Sequence, residues 1–134
     1  MTSASDAALP IDNPFLQWMG VTLHAWTPGY AEMRLLCSDQ LSNRTSRIHG
    51  GVLCTLLDSV SGYSGLYAPA GEPPLRALTL SLTTNFLDAA DGEVLTAKGY
   101  VVRKGRSIFF ARAEVWLDES RLLATSVGTF KYVR

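Results

Sequence analysis

The chain has no excess of charge of either sign. Twelve Lys and Arg balance twelve Asp and Glu, for a formal net charge of zero. No basic block breaks this balance, which argues against a surface that neutralises nucleic-acid phosphates. Cysteine is scarce. Cys37 and Cys54 sit inside apolar segments, so no disulfide framework is expected and a reducing compartment fits. No apolar run reaches membrane-spanning length. The first ten residues, MTSASDAALP, lack the basic and apolar regions of a secretory signal and are expected to be disordered. Internal repeats, low-complexity tracts and linkers are also missing. The expectation is a cytoplasmic protein with neither a membrane nor a nucleic acid as partner.

What remains is a chain of 134 residues, 47% hydrophobic and 18% charged, which fits a single globular domain over 1–134 with a sizeable core. Residues 13–19, NPFLQWM, predict a short helix capped by Asn13, with Pro14 at its first position. Residues 21–37 predict a hairpin turning at TPG, and 38–49 a polar loop. The only long helical pattern covers 50–68. Val52, Leu53, Leu56, Leu57, Val60, Tyr63 and Tyr67 share its apolar face, and it stops before PAGEPP.

Strands are expected over 75–87, 93–103, 107–118 and 121–133, the middle pair joined at KGR. In the first of them Leu78, Leu80, Leu82 and Phe86 alternate with Ala77, Thr79, Ser81, Thr83 and Asn85. One helix cannot cover both faces of such a sheet. The pattern predicts an α+β fold in which a curved antiparallel sheet of about six strands wraps around one central helix.

That helix carries one carboxylate, Asp58. Gly51, Cys54, Thr55, Ser61, Gly62 and Gly65 lie within about 60° of it. The helix has no Lys, Glu, Arg or Gln, the usual residues of a solvated face. Each glycine in helical register costs about 1 kcal/mol relative to Ala. Small residues there imply close approach by a ligand or a second subunit. The plainer alternative is helix-to-sheet packing, with Asp58 hydrogen-bonded at a dimer seam. Gly50 and Gly51 open the helix, and their amides have no intrahelical acceptors. At the positive end of the helix dipole such amides suit a negatively charged oxygen. His49, just before them, reads as a polar anchor or a contact.

The motif NRTSRIHGGVLCTLLD, which holds Asn43, His49, Gly50, Gly51 and Asp58, resembles the hotdog-fold acyl-CoA thioesterases of the phenylacetate-pathway (PaaI-like) type. TTNFLDAA and VRKGRSIFFARAEVW extend the resemblance, which runs from about residue 13 to the C-terminus. Two departures stand out. Ser46 occupies a position where relatives usually have Gly, and FLDAA replaces FLRPA, with Asp88 in place of the Arg.

The resemblance implies hydrolysis of a fatty or aromatic acyl-CoA. Asp58 is then general base or nucleophile, and the Gly50 N–H stabilises the oxyanion. Asn43 positions the thioester carbonyl or the water, His49 holds the loop and contacts the thioester, and Thr79 supports the attacking water. Arg103, Lys104, Gly105, Arg106 and Ser107, clustered at one hairpin, are expected to bind the phosphates of CoA. No metal or separate cofactor is expected, because CoA enters as part of the substrate. A homodimer, or dimer of dimers, is implied, with the site across the seam. The two central helices are expected to meet along Gly51, Ser61, Gly62 and Gly65. Two other readings stay open: a hotdog 3-hydroxyacyl thioester dehydratase, and a non-catalytic acyl-CoA binding protein.

Overall fold

The computed structural model describes residues 7–73 and 75–134. Residues 1–6 of the tail expected to be disordered lie outside the described residues. The rest of that tail is tied down: the Leu9 amide donates to the Leu23 carbonyl at 2.6 Å. Helix α1 is Pro14–Met19. Asn13 caps it as expected, its Oδ1 accepting from the Leu16 amide at 3.2 Å. Gly20 ends it at φ +90°, a conformation that glycine adopts freely. Leu16 is fully buried and fixes the helix to the core.

Strands β1 (Thr22–Thr27) and β2 (Tyr30–Leu36) form the expected hairpin. A short 3-10 turn at Asp39–Leu41 interrupts the loop that leads to helix α2, Gly50–Ser64. Four strands follow: β3 (Arg76–Phe86), β4 (Val94–Lys104), β5 (Ile108–Leu117) and β6 (Arg121–Val133). They complete a six-stranded antiparallel sheet ordered β1-β2-β4-β5-β6-β3. No helix among the described residues is long and apolar enough to cross a membrane.

Helix α2 lies in the concave face of the sheet. Leu53, Leu56, Leu57 and Val60 pack with Met33, Leu95, Ala97, Val115 and Leu117 in the main core. Burying each such side chain contributes about 1.5–3 kcal/mol. The helix ends four residues earlier than the periodicity predicts, at Ser64 rather than 68. Side chains from the sheet account for this. Trp26 Nε1 donates to the Tyr63 carbonyl and the Tyr132 hydroxyl to the Gly65 carbonyl, each at 2.7 Å. Those acceptors are thereby satisfied without another turn.

Two of the small residues in the second half of α2, Ser61 and Gly65, are buried within the protein's own fold. Ser61 is fully buried. A Cβ on Gly65 would run into the Phe109 ring, and one on Gly62 would lie 3.8 Å from Phe130. In return, β4 crosses the helix at Gly99, where a Cβ would strike the Val60 carbonyl. The expectation that Ser61 and Gly65 take part in a helix-to-helix seam is therefore corrected: both are buried within the chain's own fold, and Gly65 lets the sheet close on the helix, while Gly62 is half-buried.

Strand β3 departs from simple alternation. A bulge between Thr79 and Ser81 shifts its register against β6. Thr79 pairs opposite the buried Phe130, and Leu82 opposite the buried Gly128. Thr79 thus faces α2 together with Leu82, while Leu78 turns outward. β3 is also an edge strand, and Leu78, Leu80 and Phe86 are 57%, 53% and 55% exposed.

Candidate active site

The loop before α2 is organised by Asn43. Its Oδ1 accepts from the Thr45 amide (2.9 Å), the Thr45 hydroxyl (2.8 Å) and the Arg47 amide (3.1 Å). An Asn that closes its own turn in this way fixes the path of the chain. The Arg47 carbonyl also accepts from the Asn43 amide at 2.7 Å. Within this turn Ser46 has φ +61°, in the left-handed region. This is the position where the resembled family usually has Gly, and its conformation explains the preference.

Substitution of Ser46 by Gly is expected to stabilise the fold by about 0.5 kcal/mol. That is the relief of left-handed strain, about 1 kcal/mol, less the extra freedom of glycine in the unfolded chain. Ser46→Val is expected to destabilise by about 1–2 kcal/mol, because a branched Cβ suits that region worst. Urea midpoints in the order Gly, Ser, Val are the check; the reverse order would overturn the assignment.

His49 is the N-cap of α2. Its Nδ1 accepts from the Gly51 amide at 2.8 Å, so the neutral ring carries its proton on Nε2. The Gly51 amide is therefore occupied. The Gly50 amide has no hydrogen-bond partner among the described residues. Of the two amides anticipated at the helix start, Gly50 alone is available. The Phe86 ring borders it, 3.5 Å from where a Gly50 Cβ would lie. Phe86 was counted only as part of the strand pattern; its contact with the helix start depends on how β3 crosses α2.

Asp58 is half-buried in mid-helix, and its Oδ1 accepts from the Thr79 hydroxyl at 2.7 Å. The β3 bulge makes this contact possible. It orients the carboxylate and leaves Oδ2 without a partner among the described residues. The structure therefore brings Thr79 to Asp58, places His49 immediately before Gly50, and sets Asn43 beside His49 on the wall of one cavity. It does not bring these two groups together, because eight residues of helix separate Gly50 from Asp58 by about 12 Å.

The hairpin cations diverge. Lys104 pairs with the buried Phe109, and Arg103 with the 45% exposed Phe110, so the two occupy opposite faces of β4. Lys104, Gly105 and Arg106 line a cavity of about 310 Å³; Arg103 and Ser107 do not. Asp88 lies away from these groups. Its carboxylate accepts from Arg121 Nη2 at 2.6 Å and Nε at 3.0 Å. Those bonds hold its pKa below the ordinary carboxylate value.

A curved six-stranded antiparallel sheet wrapped around one central helix is the hotdog fold. The chain belongs to the thioesterase superfamily, whose family profile matches residues 46–124. It is similar to the medium/long-chain acyl-CoA thioesterase YigI of Escherichia coli, with 23% identity over 130 residues, 87% of this chain and 84% of that one. It also resembles a Halobacterium salinarum protein that carries an esterase name, 28% identical over 120 residues, 84% of this chain and 79% of that one. Among solved structures, a thioesterase family protein from Silicibacter pomeroyi superposes with a TM-score of 0.79 at 27% identity over 90% of each chain. The PaaI protein of the Escherichia coli phenylacetic acid degradation operon shares the fold, with a TM-score of 0.80 at 20% identity over 92% of this chain and 86% of that one.

Proposed function

We propose that this thioester hydrolase cleaves a fatty or aromatic acyl-CoA to the free acid and CoA, at a site shared by two copies of the chain. One observation carries the two-chain reading: the free Gly50 amide and the Asp58 carboxylate are held about 12 Å apart on one rigid helix. No single thioester carbon touches both groups of one chain. A second copy would set the partner's Asp58 against Gly50. The open edge of β3, with Leu78, Leu80 and Phe86 exposed, supports a second copy on this side.

At such a site the thioester carbonyl oxygen accepts from the Gly50 N–H, at the positive end of α2. His49 Nε2–H and the Asn43 amide group frame the approach. Asp58 Oδ2 takes a proton from water as the water oxygen attacks the carbonyl carbon. The oxyanion then collapses, the C–S bond breaks, and the thiolate leaves. In the alternative route Asp58 attacks directly and water hydrolyses the resulting anhydride. The Thr79 hydroxyl holds Oδ1 in either route.

The test mixes two inactive proteins. Gly50→Pro removes the amide hydrogen and Asp58→Asn removes the base. Unfolded together in equal amounts and refolded, half of the dimers should be mixed, and each mixed dimer should hold one intact site. Thiol release from an acyl-CoA is then expected to recover to roughly a quarter of wild type, provided that both variants assemble. No recovery from a mixture shown to contain mixed dimers would place both groups of each site in one chain and refute the reading.

A further inference from the structure

We infer that Phe86 selects the acyl group. Its ring is the apolar wall against which the first acyl carbons lie while the Gly50 N–H holds the thioester carbonyl. Straight-chain and arylacetyl groups are thereby favoured over a short acetyl group. This inference rests on the proposed acyl-CoA hydrolysis.

Phe86 is the last residue of β3 and pairs opposite the buried Ala124 of β6. Leu82 and Thr84 pair opposite Gly128 and Ser126 in the same frame, so all three share the face turned towards α2. Leu82 and Thr84 are partly buried there, whereas Phe86 is 55% exposed. The helix accounts for the difference. Phe86 meets α2 at Gly50, its first residue, so the ring overhangs the helix start and no further turn covers it.

Two carbons of the ring, Cε1 and Cζ, lie 3.5 and 3.7 Å from where a Gly50 Cβ would stand. Apart from Gly50's chain neighbours and its own helix backbone, no other atom of the described residues comes within 4 Å of that point. The free N–H sits on the same residue. A carbonyl oxygen accepting from it therefore carries its substituents past the ring.

The chemistry of the ring decides which substituent lies there. A phenyl ring offers no conventional hydrogen-bond donor or acceptor. The sulfur side of an acyl-CoA continues into amides, whose polar groups would go unpaired against it. The acyl side is hydrocarbon, and covering an exposed aromatic face with it is favourable. Asn43, Arg44, Thr45 and His49, which line the cavity before the helix, are all polar. Phe86 supplies the apolar contrast. A partner strand that merely covered the ring would give it a place in a seam and no acyl preference.

The experiment compares full-length wild type, Phe86→Ala and Phe86→Leu on acetyl-, hexanoyl-, decanoyl- and phenylacetyl-CoA by thiol release. Sedimentation gives the oligomeric mass of each protein. Calorimetry gives the affinity for the decyl and methyl thioethers of CoA, which cannot be hydrolysed. Phe86→Ala is expected to lower kcat/KM about tenfold on the three longer esters and no more than about twofold on acetyl-CoA. Phe86→Leu keeps apolar bulk without the ring. Its loss is expected to be concentrated on phenylacetyl-CoA, with the alkyl esters held within about threefold. Wild type should prefer the decyl thioether to the methyl one, and Phe86→Ala should narrow that preference about tenfold.

Equal losses on all esters, or a thioether preference that is absent or unchanged in Phe86→Ala, overturn the inference. If Phe86→Ala does not fold or assemble, Phe86→Leu decides: equal losses on the phenylacetyl and decanoyl esters then overturn it. Wild type that hydrolyses none of the esters refutes the proposed hydrolysis. A thioether preference that Phe86→Ala still narrows would leave the acyl wall standing.

Discussion

Replacing Asp58 by Asn is expected to lower turnover of the best acyl-CoA by about a thousandfold while leaving the fold intact. Asparagine has nearly the same shape, and its side-chain oxygen can still accept from the Thr79 hydroxyl, so the link between α2 and β3 survives. An amide cannot take a proton from water or form an anhydride with an acyl group. Both proposed routes therefore fail in this variant, and KM should change little. The measurement is steady-state thiol release, paired with a thermal melt to confirm folding. Turnover within a few-fold of wild type would remove Asp58 from the chemistry.

Gly50→Pro is the second large effect, an expected loss of about a hundred- to a thousandfold in kcat. Proline deletes the backbone N–H and little else at this position. It suits the first residue of a helix. His49, the preceding residue, already has φ −63° and ψ 135°, the extended conformation that a following proline requires. The cap from His49 Nδ1 to the Gly51 amide is untouched. Gly50→Ala is the matched control: it keeps the N–H, and its Cβ makes only an ordinary contact with Phe86. The expected ranking is wild type near Ala and far above Pro. Equal activity in Ala and Pro would place the oxyanion donor elsewhere.

The sequence makes the local parts of this site readable. Asn13 with Pro14 marks one helix start and His-Gly-Gly another, since capping and amide exposure depend on a few consecutive residues. The TPG and KGR hairpins follow from turn chemistry in the same way. The parts set by distant residues are hidden. The end of α2 depends on Trp26 and Tyr132, which approach from two different strands. The packing of Gly65 depends on Phe109, that of Gly62 on Phe130, and the approach to Ser61 on Gly99. Small residues announce that something comes near; they do not say what. Arg103 and Lys104 are adjacent in sequence yet face opposite ways, as neighbours on a strand must.

The extra residue in β3 gives that strand two reading frames. Before Leu80 the odd-numbered residues look at the helix, as Ala77 and Thr79 do; after it the even-numbered ones do, as Leu82 and Thr84 do. Leu80 belongs to neither frame and is 53% exposed. Any comparison that slides relatives along this strand by hydrophobicity alone will match one half and miscount the other by one. The residue lost in that miscount is the threonine that holds the carboxylate. Alignments of β3 therefore need a gap allowed at residue 80, and relatives without the extra residue should direct a different side chain at their acid.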